Sequence, residues 1–282
     1  MYGTCGCNAA PIPEEGRLMD RDFMLDTYGD LVAAGLDAGY EFLPVVEYLT
    51  RDTLPDRFVI LRHDVDRKPV NARKMARREA ELGVESTYYF RTIDKTLRPE
   101  LIETIADLGH EIGYHYEDLD RANGELVEAH RSFADHLETL RTVADVRTVC
   151  MQGNPLTPYD NRDLFRDTET DLEDLLAEYD LVGEAYLSMD FTDVTYFSDT
   201  GRTWRDGPLK VKDETVGPDS KSVGVDTTAE LAALLATASV DRVCLLAHPN
   251  RWADSYPEFV VERTKDSAIN IVKRGIHLLS LP

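Results

Sequence analysis

The stretch Phe58-Val-Ile-Leu-Arg-His-Asp-Val-Asp66 decides the fold. Its apolar start, with β-branched Val59 and Ile60, predicts a buried strand over residues 58–62. The run then breaks into His63, Asp64 and Asp66. In α/β enzymes the C-terminal mouth of a strand is where ligands and metals bind. Strand alternation puts Asp64 and Asp66 on one face. Two converging carboxylates repel each other unless a cation or a shared proton compensates. The pair therefore suits a metal ligand beside a general base. The alternative is that one Asp caps the next helix and the other is solvated.

Reading outward, helical spacing and turn signals alternate with short apolar runs. The sequence predicts a helix over 70–82 closed by Gly83, and strands over 86–91, 111–116, 146–151, 181–185, 193–197 and 242–247. Helices are expected over 26–38, 99–108, 124–144, 171–179, 227–237 and 256–274, with a short strand over 40–43. This alternation argues for parallel βαβ units, an α/β fold of about seven strands in an open sheet or a barrel. Residues 1–20 read as a poorly ordered N-terminal segment and 21–282 as one domain. No Gly-rich dinucleotide loop follows any strand, so nucleotide binding is not expected.

Two more strands end in polar residues. Gly109-His-Glu-Ile-Gly-Tyr-His115-Tyr-Glu117-Asp118 delivers His115 at a strand mouth, with Glu117 expected on the same face. Val243-Cys-Leu-Leu-Ala-His248-Pro-Asn-Arg251-Trp252 delivers His248 in the same way. An imidazole near a carboxylate-bound cation suits general acid work. The loops Gln152–Arg162 and Ser198–Trp204 carry turn-forming residues. Arg202, Trp204, Arg251 and Trp252 are read as an aromatic and guanidinium lining for a sugar.

The net charge is −22, from 31 basic and 53 acidic residues. Like charges repel, which argues against nucleic acid or an anionic membrane as partner. Eight of the basic residues are Lys and 23 are Arg, an acidic, Lys-poor surface of the halophile-like kind, in which salt screens self-repulsion. Cys5 and Cys7 form a weak metal or redox signal on a loose terminus, and Cys150 and Cys244 read as core thiols. No signal peptide and no apolar run of the ~20 residues a membrane span requires is visible, so a cytoplasmic protein is expected.

RHDVD, GHEIGYH and AHP, in this order and at strand ends, resemble the polysaccharide deacetylase (NodB-homology) superfamily from about Phe58 to Trp252. The loops QGNPLTPYDNRDLF and YFSDTGRTW resemble a branch found with surface-polysaccharide biosynthesis. The resemblance implies a distorted (β/α) barrel of about seven parallel strands, one divalent metal, commonly Zn²⁺, and removal of acyl groups from N-acylated sugars. By the same resemblance Asp64 is the general base, Asp66 a metal ligand, His115 the first His of a His-x-x-x-His pair, and His248 the acid that protonates the leaving amine. The sequence departs at Leu119, four residues after His115, which cannot bind metal. Glu117 or Asp118 is the expected substitute. Gln152 stands where the branch carries a His. Two alternatives stay open: a non-catalytic sugar-binding relative, and a metal amidohydrolase acting on a non-sugar amide. The sequence leaves the oligomeric state open.

Overall fold

The computed structural model describes residues 22–166, 170–206, 213 and 223–279, with the backbone alone over 268–279. The expectations for residues 1–20, including Cys5 and Cys7, fall outside the described residues. Among the described residues no helix is long and apolar enough to cross a membrane.

Among the described residues eight parallel strands form a single curled sheet, a half-barrel of the distorted (β/α) kind that the motif resemblance implies. In chain order they are β1 (Glu41–Leu43), β2 (Phe58–Val65), β3 (Thr87–Phe90), β4 (Glu111–Tyr116), β5 (Val146–Met151), β6 (Gly183–Glu184), β7 (Thr195–Ser198) and β8 (Arg242–Ala247). The spatial order is β6-β5-β4-β3-β2-β8-β7. β8 covers Phe58–His63 of β2, so β1 and β3 share its other edge, β1 at Phe58–Ile60 and β3 at Arg62–Val65. Parallel neighbours need crossover segments, and helices supply most of them. Pro69–Glu81 links β2 to β3, Pro99–Asp107 links β3 to β4, and Leu126–Arg141 links β4 to β5. Two of these start with Pro at the first helical turn, where its missing N–H costs nothing. They stop at Gly83 (φ 74°) and Gly109 (φ 97°), left-handed positions that favour glycine. Leu25–Asp37, Thr228–Ala236 and Tyr256–Leu279 are further helices.

β2 is longer than expected. It runs through Val65, and all eight residues are buried. Its even-numbered positions Phe58 and Ile60 join an inner core with Val149 and Cys244. Its odd positions Val59 and Leu61 face an outer layer with Tyr28, Val32 and Met75. The same alternation sends Arg62 and Asp64 inward and His63 outward.

The strand registers set the level of the site. His63 pairs with Ala247, so His248 follows one step beyond. Asp64 is level with Tyr89 on β3, and His115 is level with Cys150 on β5. Side chains distant in sequence thus leave the sheet at one height and one end.

Candidate active site

Asp64, Asp66, His115 and His248 converge in one cavity of about 110 Å³, which Gln152, Tyr186, Thr200, Asp213 and Arg251 also line. His115 Nε2 lies 3.9 Å from Asp64 Oδ2 and 3.6 Å from Asp66 Oδ1. His248 Nε2 lies 3.9 Å from Asp66 Oδ2. The four groups come from the mouths of β2, β4 and β8, as the strand-end pattern predicts.

Each imidazole is oriented from behind. His115 Nδ1 donates to the Cys150 carbonyl at 2.9 Å, which leaves Nε2 to face the carboxylates. His248 Nδ1 lies 2.6 Å from Asp199 Oδ1. A guanidinium N of Arg251 is 2.8 Å from the same ring nitrogen and 2.7 Å from Asp199 Oδ1. The carboxylate is the strongest acceptor present, so Nδ1 donates to Asp199 and Nε2 is turned to Asp66. Holding one ring nitrogen with a carbonyl or carboxylate fixes which nitrogen is available to a metal or a proton.

Asp199 is fully buried. Burial alone raises a carboxyl's pKa, but the charges of Arg251 and His248 and the hydrogen bonds from His248 outweigh it and hold Asp199 well below the usual carboxylate range. Asp66 is held low in the same way: burial pushes up, while the His115 contact and the charges of His248 and Arg251 push down further. His115 is raised; burial opposes protonation, and Asp64 and Asp66 more than compensate.

The donor set fits a divalent cation. Asp66 Oδ1 is buried and accepts no hydrogen bond, a costly state for a carboxylate oxygen unless a cation meets it. The nitrogen facing it, His115 Nε2, is the unheld one. Oxygen and imidazole nitrogen are the ligands that zinc and similar ions take. Asp64, His115 and Cys150 also bring ligand atoms within 4.8 Å of one another. Cys150 is the weaker member of that group. Its sulfur accepts from Arg62 at 2.8 Å, and burial pushes the thiol well above its ordinary pKa, whereas a ligand must be the thiolate.

Sequence reasoning missed two functional side chains, Asp199 and Arg62. Arg62 is fully buried two residues before Asp64, on the same face, with its guanidinium 4.3 Å from the Tyr186 ring centroid. It places a permanent positive charge beneath the carboxylate pair. The signal for Asp199 was present: it directly follows β7, a fourth strand ending in His or Asp.

Five expected site residues do not reach the cavity. β4 ends at Tyr116, and Glu117 has φ −139° and ψ 28°, so strand alternation no longer aims it. Its carboxylate meets Arg91 at 2.5 Å and Arg121 at 2.6 Å instead. Asp118, the other substitute, bonds Tyr114, Ser132 and His136. Trp204 is fully buried in the outer layer, its indole N–H donating to Thr228 at 2.9 Å. Trp252 is buried there too, carried back by the 3₁₀ turn Pro249–Arg251, and donates to Asp199 at 2.9 Å. Neither tryptophan lines a sugar site. Arg202 is tied to Asp266 at 2.9 Å. Of the expected lining only Arg251 faces the cavity. Leu119 is core. Gln152 lines the cavity, and its Oε1 is buried without a partner.

No family model and no curated protein matches the chain. Solved structures do. A polysaccharide deacetylase so assigned from Mycobacterium smegmatis is 15% identical with a TM-score of 0.42, over 82% of this chain and 94% of that one. A CE4 family pseudoenzyme from Bacillus anthracis is 10% identical with a TM-score of 0.38, over 76% of this chain. A mutant of that pseudoenzyme with restored enzymatic activity scores 0.36 at 10% identity, also over 76% of this chain. The chain spans 66% and 64% of the length of those two, just under two thirds. At such identities and scores the functional reading rests on the side chains and not on these neighbours.

Proposed function

We propose that the protein is a metal-dependent hydrolase that removes an acyl group, acetyl in the simplest case, from an N-acylated sugar. One observation carries the reading. Two carboxylates and two imidazoles from three strand mouths meet in one cavity, and a buried oxygen of Asp66 lacks any hydrogen-bond partner.

Asp66 and His115 would hold the cation, and a carboxylate beside an imidazole suits zinc. When bound, a divalent cation polarises the amide carbonyl and makes water a better nucleophile at neutral pH. Asp64 accepts the proton of the attacking water, with the buried Arg62 behind it and His115 in front. His248 Nε2 gives a proton to the departing amine, and Asp199 stabilises the imidazolium that precedes the transfer. Trp252 and Arg251 keep Asp199 in position. The sugar ring and its acetyl group are the chemical class to which the motif resemblance points.

A binding-only relative is the second reading, and Leu119 favours it. Packed in the core, this residue supplies no ligand where the resemblance expects one. Calorimetric titration of chelator-stripped protein with Zn²⁺ separates the two. The hydrolase reading expects one saturable site, weakened at least about tenfold by Asp66→Asn. A wild-type protein that takes up no divalent cation while still binding acetylated sugar overturns it.

A further inference from the structure

Beside the carboxylate–imidazole cluster the cavity opens into a cleft of about 340 Å³. The charged residues lining it are Asp66, Arg67, Arg91, Lys95, Arg251 and Asp266. Cations outnumber anions there by four to two. Over the whole chain the bias runs the other way, 31 basic to 53 acidic residues. Of only eight lysines in the sequence, one stands in this cleft. A cationic patch on a chain of net charge −22 is therefore local construction against the general field.

The cations are not all consumed by their neighbours. Arg67 pairs with Asp266 at 2.7 Å and Arg91 with Glu117 at 2.5 Å. Each guanidinium carries five N–H donors, and one carboxylate takes at most two. Arg91 Nε is buried and unpartnered. Lys95 is exposed and forms no ion pair among the described residues. Two acceptors lining the same cleft, Gln152 Oε1 and Asn250 Oδ1, are also buried without partners. Free donors and orphaned acceptors together are what a bound polar molecule satisfies, because burying such groups unpaired is unfavourable.

We propose that the acylated sugar carries an oxyanion, a phosphate or a carboxylate, and that Arg91 and Lys95 seat this group next to Asp66. Arg67 and Arg91 leave the mouths of β2 and β3, and Lys95 lies in the loop after β3. The oxyanion thus lies on the β3 side of the reacting amide. Gln152 and Asn250, which line the same cleft, accept from sugar hydroxyls. The inference rests on the hydrolase reading for the position of the amide; the charge preference itself is a binding property.

Isothermal titration of the intact protein tests it with three probes: N-acetylglucosamine, its 1-phosphate and an N-acetylhexosaminuronic acid. At least one anionic probe is expected to bind about tenfold tighter than the neutral sugar, with the gap closing at high salt. Lys95→Ala and Lys95→Glu are expected to shrink that preference, the second more than the first. The phosphate and uronate arms tell which oxyanion the cleft takes. Equal affinity for all three probes, or a preference that Lys95→Glu leaves intact, overturns the proposal. Acetate release, followed separately, keeps the two readings apart. Charge-selective binding without hydrolysis would defeat the hydrolase and leave this inference standing. Hydrolysis without charge preference would do the reverse.

Discussion

Asp199 grips His248 through both carboxylate oxygens. Oδ1 lies 2.6 Å from the ring Nδ1, and Oδ2 accepts the His248 backbone N–H at 2.9 Å. Ring and backbone are fixed together, so the imidazole cannot swing without breaking two buried contacts. Asp199→Asn keeps the shape but can present an N–H to Nδ1, which favours the wrong tautomer. Turnover is expected to fall by about 10²-fold or more, with KM little changed. A variant of unchanged kcat would show that His248 needs no such orientation.

His248 itself is assigned to proton transfer and not to ligation. His248→Ala should therefore retain the cation within a few-fold of wild-type affinity while losing turnover. Metal content after dialysis, by plasma emission, checks this. Loss of the cation in that variant would make His248 a ligand, consistent with its Nε2 facing Asp66 at 3.9 Å.

The thiol of Cys150 stands near the same ligands, yet it is assigned no bond to the cation. Cys150→Val conserves shape approximately and removes the sulfur. Cation affinity is expected to survive, with a stability change of about 1 kcal/mol at most. Loss of cation binding in a folded Cys150→Val protein would place sulfur in the coordination sphere.

A second buried ionic cluster lies on the other side of β2. His63 points outward, its Nε2 2.8 Å from Glu79 Oε1 and its Nδ1 3.1 Å from the Ala247 carbonyl. Both ring nitrogens face acceptors. Glu79 also accepts from Tyr28, Tyr88 and Ser86. Burial raises the Glu79 pKa, but the charge and hydrogen bond of His63 overcome it and bring it down to about 2. A folded pKa below the unfolded value of about 4.3 means stability that is complete above pH ~4.3 and drains away as pH falls toward 2. The contribution is about 3 kcal/mol. Glu79→Gln should be less stable than wild type at pH 7, and the difference should shrink between pH 5 and pH 2 in urea titrations. A pH-independent difference would contradict the charge assignment.

Trp204 is a packing residue. Trp204→Ala is expected to lower stability by about 3–5 kcal/mol and to leave sugar affinity unchanged in the folded fraction. Loss of affinity at unchanged stability would restore it to the sugar site.

Much of this architecture was legible in the chain. Short apolar runs separated by helical spacing, with Gly83 and Gly109 as stops, gave the parallel strands and their order in sequence, because local periodicity and glycine conformation determine both. Asp64, Asp66, His115 and His248 were legible for one reason: each ends an apolar strand, and parallel strands share one catalytic end. Glu117 misled because alternation holds only while the strand lasts, and β4 stops one residue earlier. The tryptophans misled because aromatic residues beside arginines serve a core as readily as a sugar. Asp199 follows a strand like the others, but Ser-Asp-Thr-Gly also reads as a turn. Arg62 sits inside the apolar run, and only the inward face of a curled sheet shows what a buried guanidinium there is for.

Acetate release by the zinc-reconstituted protein, measured on acetylated amino sugars alongside Asp64→Asn and with metal content determined on the same samples, tests the central claim most directly. Wild type is expected to turn over, to lose activity on chelation and to regain it on adding Zn²⁺, while Asp64→Asn keeps the metal but is slower by about 10²-fold or more. Turnover that survives both chelation and Asp64→Asn, or a folded, metal-loaded wild type that releases no acetate from any acetylated sugar offered, neutral or anionic, would contradict that claim.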